Sequence, residues 1–168
     1  YRRPIDPSES PFSPSNNGGL EIETFKANAC TASELNNHSI VTVIRYCHSK
    51  MLIPGDNECA SWNELLRNRD FVSSIEGTDV LVASHHGRES GFSPDLLKYI
   101  SPRLTVISDG RFCDTSATGR YSCHSQGCTV SRRKDSTTPT RRCVTTRNDG
   151  VIVVKFGEAK GDISVTID

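Results

Sequence analysis

Short apolar runs that end on chemistry-bearing residues constrain this chain more than any other feature. Met51-Leu52-Ile53 closes on Pro54-Gly55-Asp56, Val80 to Ala83 closes on Ser84-His85-His86-Gly87, and Leu104 to Ile107 leads into a long irregular stretch. Runs of this length read as buried strands, and helical spacing fills the gaps between them. Trp62, Leu65, Leu66, Phe71 and Val72 predict a helix over Ala60 to Ile75 that stops near Gly77. Ser93-Pro94-Asp95 predicts a helix start, with Ser93 as cap and Pro94 in the first turn, and Leu96, Leu97, Tyr99 and Ile100 as its apolar side. Pro102 ends it. Strand, helix, strand, helix, strand is the pattern of a layered α/β fold.

The flanks are simpler. Tyr1 to Gly19 is rich in Pro, Ser, Asn and Gly, so residues 1–19 read as a loop or linker and 20–168 as one domain. Leu20 to Phe25 alternates like a half-exposed strand. Ser39 to Cys47 and Lys50 to Pro54 predict a hairpin turning at His48-Ser49. Ser108 to Gln126 is expected to be an irregular, functional loop. Short strands follow at Cys128 to Val130, Cys143 to Thr146, Val151 to Phe156 and Ile163 to Ile167, with Asn148-Asp149-Gly150 as a hairpin turn signal between two of them.

Composition limits the function classes. With 35% apolar residues among 168, the core is lean. Twenty basic residues balance twenty acidic ones, so net charge alone selects no polyanion partner. No apolar stretch is long enough to span a bilayer and no signal-peptide pattern is present, so no membrane association and a cytoplasmic location are expected. The chain starts at Tyr1 rather than Met, as expected of a processed product or a piece of something longer.

A divalent ion of borderline hardness takes carboxylate oxygen and imidazole nitrogen, and a carboxylate can bridge two ions. Asp56 fits a bridging position and His85 or His86 a terminal one. Adjacent residues leaving a strand point apart, so one His is expected on the metal and the other beside it or on substrate. Taken singly, Gly55-Asp56 reads equally as an ordinary turn, and His85-His86 as a polar strand end. Their order and setting argue for a site. The seven Cys include Cys123 and Cys128 around His124, which with Cys113 offer a structural zinc knuckle as an alternative; reduced thiols fit the spacing better.

Asn36-Asn37-His38-Ser39-Ile40-Val41, Met51 to Asp56, Asp79 to Gly87, Ser93-Pro94 and Pro102, taken in order, resemble the second half of a metallo-β-lactamase-fold hydrolase. The subgroup most similar includes the hydrolase domain of the bacterial competence DNA-uptake channel. The likeness spans about Asn36 to Ser108, with a weaker match at Thr145 to Val154. It implies an αββα sandwich binding two divalent metal ions at one edge, zinc or manganese. Asp56 would match the bridging carboxylate, and the His85-His86 pair the last histidine ligand, with His85 favoured as the first residue off the strand. The family activates a metal-bound hydroxide. Arg88, Ser90, Arg120, Tyr121 and His124 would then be substrate contacts, or else ordinary loop residues.

The family's His-x-His-x-Asp-His cluster is absent. The chain therefore resembles a C-terminal half, expected to need an N-terminal half carrying the remaining ligands. The resemblance implies a phosphodiesterase or nuclease-type hydrolase acting on a phosphoester, nucleic acid or nucleotide. A binding or regulatory module that keeps the fold without catalysis is the alternative. A homo-oligomer is compatible with either.

Overall fold

The computed structural model describes residues 10–11, 13–28, 33–110, 115–159 and 161–168. Strands β1 (Leu20–Phe25), β2 (Val41–Tyr46) and β3 (Ser49–Ile53) form an antiparallel meander, with Ile22 opposite Ile44 and Val43 opposite Leu52. The β2–β3 turn is Cys47-His48, one residue earlier than the sequence suggested. Cys47 takes the left-handed conformation there (φ 49°), and Ser49 already pairs with Tyr46.

The expected single helix over Ala60 to Ile75 is two: α1 (Cys59–Leu65) and α2 (Arg69–Ile75). Asn68 makes the break, because its side chain accepts the Asp70 and Phe71 N–H groups at 2.9 and 3.4 Å and starts a new helix. β4 (Val80–Val82) then pairs parallel with β3, α3 (Leu96–Tyr99) begins where Ser93 Oγ accepts the Leu96 N–H at 3.2 Å, and β5 (Leu104–Ile107) pairs parallel with β4.

Two expectations fail beyond β5. The stretch Ser108 to Gln126 contains a helix, α4 (Thr118–His124), whose buried contacts reduce to Ala117 and Tyr121, too few to leave a helical period in the sequence. The rest of the chain is β6 (Cys128–Arg132), β7 (Thr140–Arg141), β8 (Cys143–Thr145), the one-turn α5 (Thr146–Asp149), β9 (Val153–Phe156) and β10 (Ile163–Ile167). Asn148-Asp149-Gly150 is no hairpin turn. Thr145 Oγ accepts the Asn148 N–H at 3.2 Å and caps α5, and Gly150 at φ 65° ends it as the chain passes from one sheet to another.

The first sheet runs β1-β2-β3-β4-β5-β8 and the second β7-β6-β10-β9. Alternation along the strands divides the core. Val41, Val43, Leu52, Leu81 and Ile107 pack against Trp62, Phe71, Ile75 and Leu96 from the helical side. Leu104, Val106 and Val144, on the opposite face, meet Val130, Val165 and Ile167 of the second sheet. The protein is thus mixed α/β, with five α-helices and two sheets among the described residues. Ile44, Met51 and Ile53 are half-buried and belong to neither cluster. No helix among the described residues is long and apolar enough to cross a membrane.

Candidate functional site

Parallel pairing of β3, β4 and β5 brings their C-terminal ends to one edge of the sheet, where the chain turns out of the ladder and can aim side chains into a shared cleft. The first loop is Gly55-Asp56-Asn57. Gly55 sits at φ 62°, and a Cβ on it would lie 2.9 Å from Ser39 Cβ, so glycine is demanded by both conformation and space. Ser39 Oγ accepts the Asp56 N–H at 3.1 Å, and the buried Asn57 amide donates to the carbonyls of Ser39 at 3.1 Å and Pro54 at 2.6 Å. These bonds fix the loop and leave the Asp56 carboxylate directed outward.

The second loop is Ser84 to Gly87. His85, His86 and Gly87 all adopt positive φ, at 48°, 56° and 79°. Left-handed non-glycine residues cost roughly 1–2 kcal/mol each, so two consecutive histidines in that state require strong local support. The first loop gives it. The His85 N–H donates to Gly55 O at 3.1 Å, and the Ser84 hydroxyl faces the carbonyls of Gly55 and Asn57. Gly91 closes the turn from behind, so tightly that a Cβ there would lie 2.7 Å from Ser84 O.

The two histidines diverge. His85 is 7% exposed, with Nδ1 2.8 Å from Glu58 Oε1 and 3.0 Å from Ser90 Oγ, and Nε2 3.0 Å from an Arg88 guanidinium nitrogen. A guanidinium only donates, so Nε2 is the accepting nitrogen and Nδ1–H points at the Glu58 carboxylate. Both ring nitrogens of His85 are therefore engaged. His86 is exposed, and its Nδ1–H donates to Ser108 O at 2.6 Å, which turns Nε2 toward Asp56 Oδ1, 3.6 Å away. A neutral imidazole there presents Nε2 as a second acceptor, whereas an imidazolium forms an ion pair with the carboxylate.

This donor set suits a cation. Zinc lies about 2.0–2.2 Å from imidazole nitrogen and carboxylate oxygen, so an ion between Asp56 and His86 would draw them only slightly closer. A carbonyl behind the imidazole is also the usual support of a ligating histidine. The geometry turns His86, not the sequence-favoured His85, toward Asp56. No group of three or more His, Cys, Asp or Glu able to hold a metal occurs among the described residues, so two protein ligands are what these residues supply.

The other candidates separate by environment. Arg88 reaches His85, and its Nε is buried without a partner among the described residues. Arg120 stacks on the Phe92 ring, 3.9 Å from its centroid, and pairs with Glu89. Tyr121 is 3% exposed; its ring meets Phe92 edge-on, its hydroxyl faces Gly91 O at 3.5 Å, and burial pushes its pKa up. His124 donates from Nδ1 to Arg120 O at 2.8 Å and rests its ring on Phe92. Arg120, Tyr121 and His124 thus brace the loop that carries the histidines. The zinc-knuckle alternative finds no support in the thiols described: Cys123 is exposed, Cys128 is buried, and burial raises the Cys128 pKa, a poor setting for a thiolate ligand. Cys113 lies outside the described residues.

Sequence reasoning missed Glu58. Its position two residues past Asp56, in Gly-Asp-Asn-Glu, was the available signal, and its engagement by Asn36 Nδ2 at 3.2 Å could not be read from spacing.

One curated protein shows a match. "Recombination protein 2" of Haemophilus influenzae is 29% identical over 94 residues, which cover 56% of this chain and 11% of that protein. The chain therefore corresponds to a small part of a much longer relative. No protein-family profile matches.

Proposed function

We propose that this chain is the C-terminal part of a metal-dependent hydrolase of the metallo-β-lactamase fold, of phosphodiesterase or nuclease type. The observation that carries the reading is the facing pair Asp56 and His86, a carboxylate oxygen and an imidazole nitrogen 3.6 Å apart at the strand-end edge, held by loops strapped to each other. Divalent ions bound there would lower the pKa of bound water and polarise a scissile phosphoryl group. The chain's own residues do the rest. Asp56 and His86 supply an oxygen and a nitrogen ligand, Ser108 O keeps the imidazole turned, and Glu58, His85 and Ser84 keep the two loops in register. Arg88 places a cation beside His85, suited to a phosphate oxygen.

Catalytic zinc sites take three protein ligands each, so an N-terminal half must supply the remainder. The half-buried Ile44, Met51 and Ile53 offer that half an apolar sheet face, and its helices would complete an αββα sandwich. The name of the Haemophilus influenzae relative is in keeping with work on DNA. The test is phosphodiesterase activity of the full-length protein toward a chromogenic phosphodiester with zinc or manganese. Activity abolished by Asp56→Ala and His86→Ala supports the reading, undiminished activity in both variants contradicts the assignment of the site, and a wild-type protein inert with every divalent metal favours the non-catalytic module.

A further inference from the structure

The chain is neutral overall, yet one projection is not. Ser131 to Arg142 holds Arg132, Arg133, Lys134, Arg141 and Arg142 against the single acid Asp135. The segment is a two-stranded ribbon: Cys128 pairs with Arg141 and Thr129 with Thr140, and the Val130 and Arg132 N–H groups bond Pro139 O at 3.0 Å and Thr137 O at 2.8 Å.

Arg141 is committed, with both guanidinium NH groups on the buried Asp149. The others are available. Arg132 and Arg133 make only surface pairs, to Asp135 at 3.8 Å and Asp168 at 3.1 Å, and pairs of that kind are worth about 0–1 kcal/mol, so a phosphate can displace them. Lys134 and Arg142 are exposed and carry no ion pair among the described residues. The same segment carries the hydroxyls of Ser136, Thr138 and Thr140, which can add weaker, neutral hydrogen bonds to phosphate oxygens.

Backbone contacts place this arm at the edge that holds the candidate site. Arg133 N–H bonds Ile167 O, Asp168 N–H bonds Asp149 O just past β8, Thr146 and Arg147 bond Asp109, and the adjacent Ser108 carbonyl holds His86. Basic residues on an edge strand also discourage strand pairing between molecules. That role would account for Arg142 beside β7, but not for Arg133 and Lys134 at the ribbon tip. An anionic membrane is disfavoured as partner, because the tip, Lys134 to Pro139, offers no aromatic or large aliphatic side chain to insert among headgroups.

We infer that the β6–β7 hairpin is a docking arm for the phosphate backbone of a nucleic acid. The arm does not rest on the hydrolase reading, and the experiment keeps the two apart by measuring binding with divalent metals chelated. Full-length protein is titrated into a fluorescently labelled oligonucleotide, single- and double-stranded, across a salt series. The triple variant Arg133→Ala, Lys134→Ala, Arg142→Ala should bind at least about tenfold more weakly. Its slope of log affinity against log salt on duplex should be shallower by about 2–3, since each lost phosphate contact removes about 0.9. Lys134→Glu alone, at an exposed position, should shift both in the same direction should the triple variant fold poorly. An unchanged slope in both variants overturns the inference, as does wild-type binding to phosphatidylserine vesicles without binding to either oligonucleotide. Intact binding in a protein with no metal-dependent activity would overturn the hydrolase reading and leave the arm standing.

Discussion

Two loops leave strand ends at the same edge of the first sheet, with β4 and β5 between them, and they treat their carboxylates in opposite ways. Past β8, Asp149 is 3% exposed and saturated: Arg141 grips both oxygens at 3.1 and 3.0 Å, and the Thr145 N–H adds a third bond at 2.9 Å. Past β3, the Asp56 side chain is 41% exposed and faces His86 Nε2 at 3.6 Å. The first carboxylate is closed by the protein. The second is left incomplete by it, although the backbone beneath it is as heavily bonded. A loop so well supported that nevertheless presents an open carboxylate oxygen beside an imidazole nitrogen is the feature the proposed metal site rests on.

That contrast fails or sharpens under substitution. The largest effect belongs to the closed loop: Asp149→Ala takes a buried carboxylate from the half-buried Arg141 and from the Thr145 N–H and should cost about 2–3 kcal/mol, read as a fall in denaturation midpoint. Glu58→Ala comes next. It removes the nearer acceptor of the buried His85 Nδ1–H and leaves Ser90 Oγ at 3.0 Å as the remaining one, with an expected loss of about 0.5–1.5 kcal/mol, while Glu58→Gln, which still presents an accepting oxygen, should recover most of it. Asp56→Ala should change stability by no more than about 0.5 kcal/mol, because its carboxylate gains little from the fold. An Asp56→Ala variant as unstable as Asp149→Ala would erase the distinction between the two loops.

The smallest effect concerns pH. Hydrogen bonding from Arg45 holds the Glu23 carboxyl below its ordinary range, with Ser74 and the Arg45 charge acting in the same direction. A depressed folded pKa gives stability that is present above the unfolded value near 4.5 and is lost as pH falls through the lower folded value. Glu23 is 44% exposed, so solvent screening keeps the contribution small. Glu23→Gln should flatten the acid-side stability profile slightly and leave neutral pH nearly unchanged.

The parallel core was legible because burial on both faces writes continuous apolar runs, as at Val80 to Ala83 and Leu104 to Ile107, and because Gly55 and Gly87 mark where the backbone must bend. The break at Asn68 and the cap at Thr145 were not, since each depends on a polar side chain choosing the backbone over solvent. Helix α4 left no period because only Tyr121 and the preceding Ala117 face the core. At the site, Asp56, His85 and His86 stood out by residue type and place. Their division of labour did not, because it is set by two left-handed φ values and by the partners Glu58 and Ser108, distant in sequence from one or both histidines.

Metal content of the purified full-length protein, after dialysis against zinc, tests the central claim most directly. Wild type and Cys123→Ala should retain equal zinc, while Asp56→Ala and His86→Ala should each lose bound metal with the denaturation midpoint little changed. Zinc retained in full by both Asp56→Ala and His86→Ala would contradict the assignment of this facing pair as a metal site.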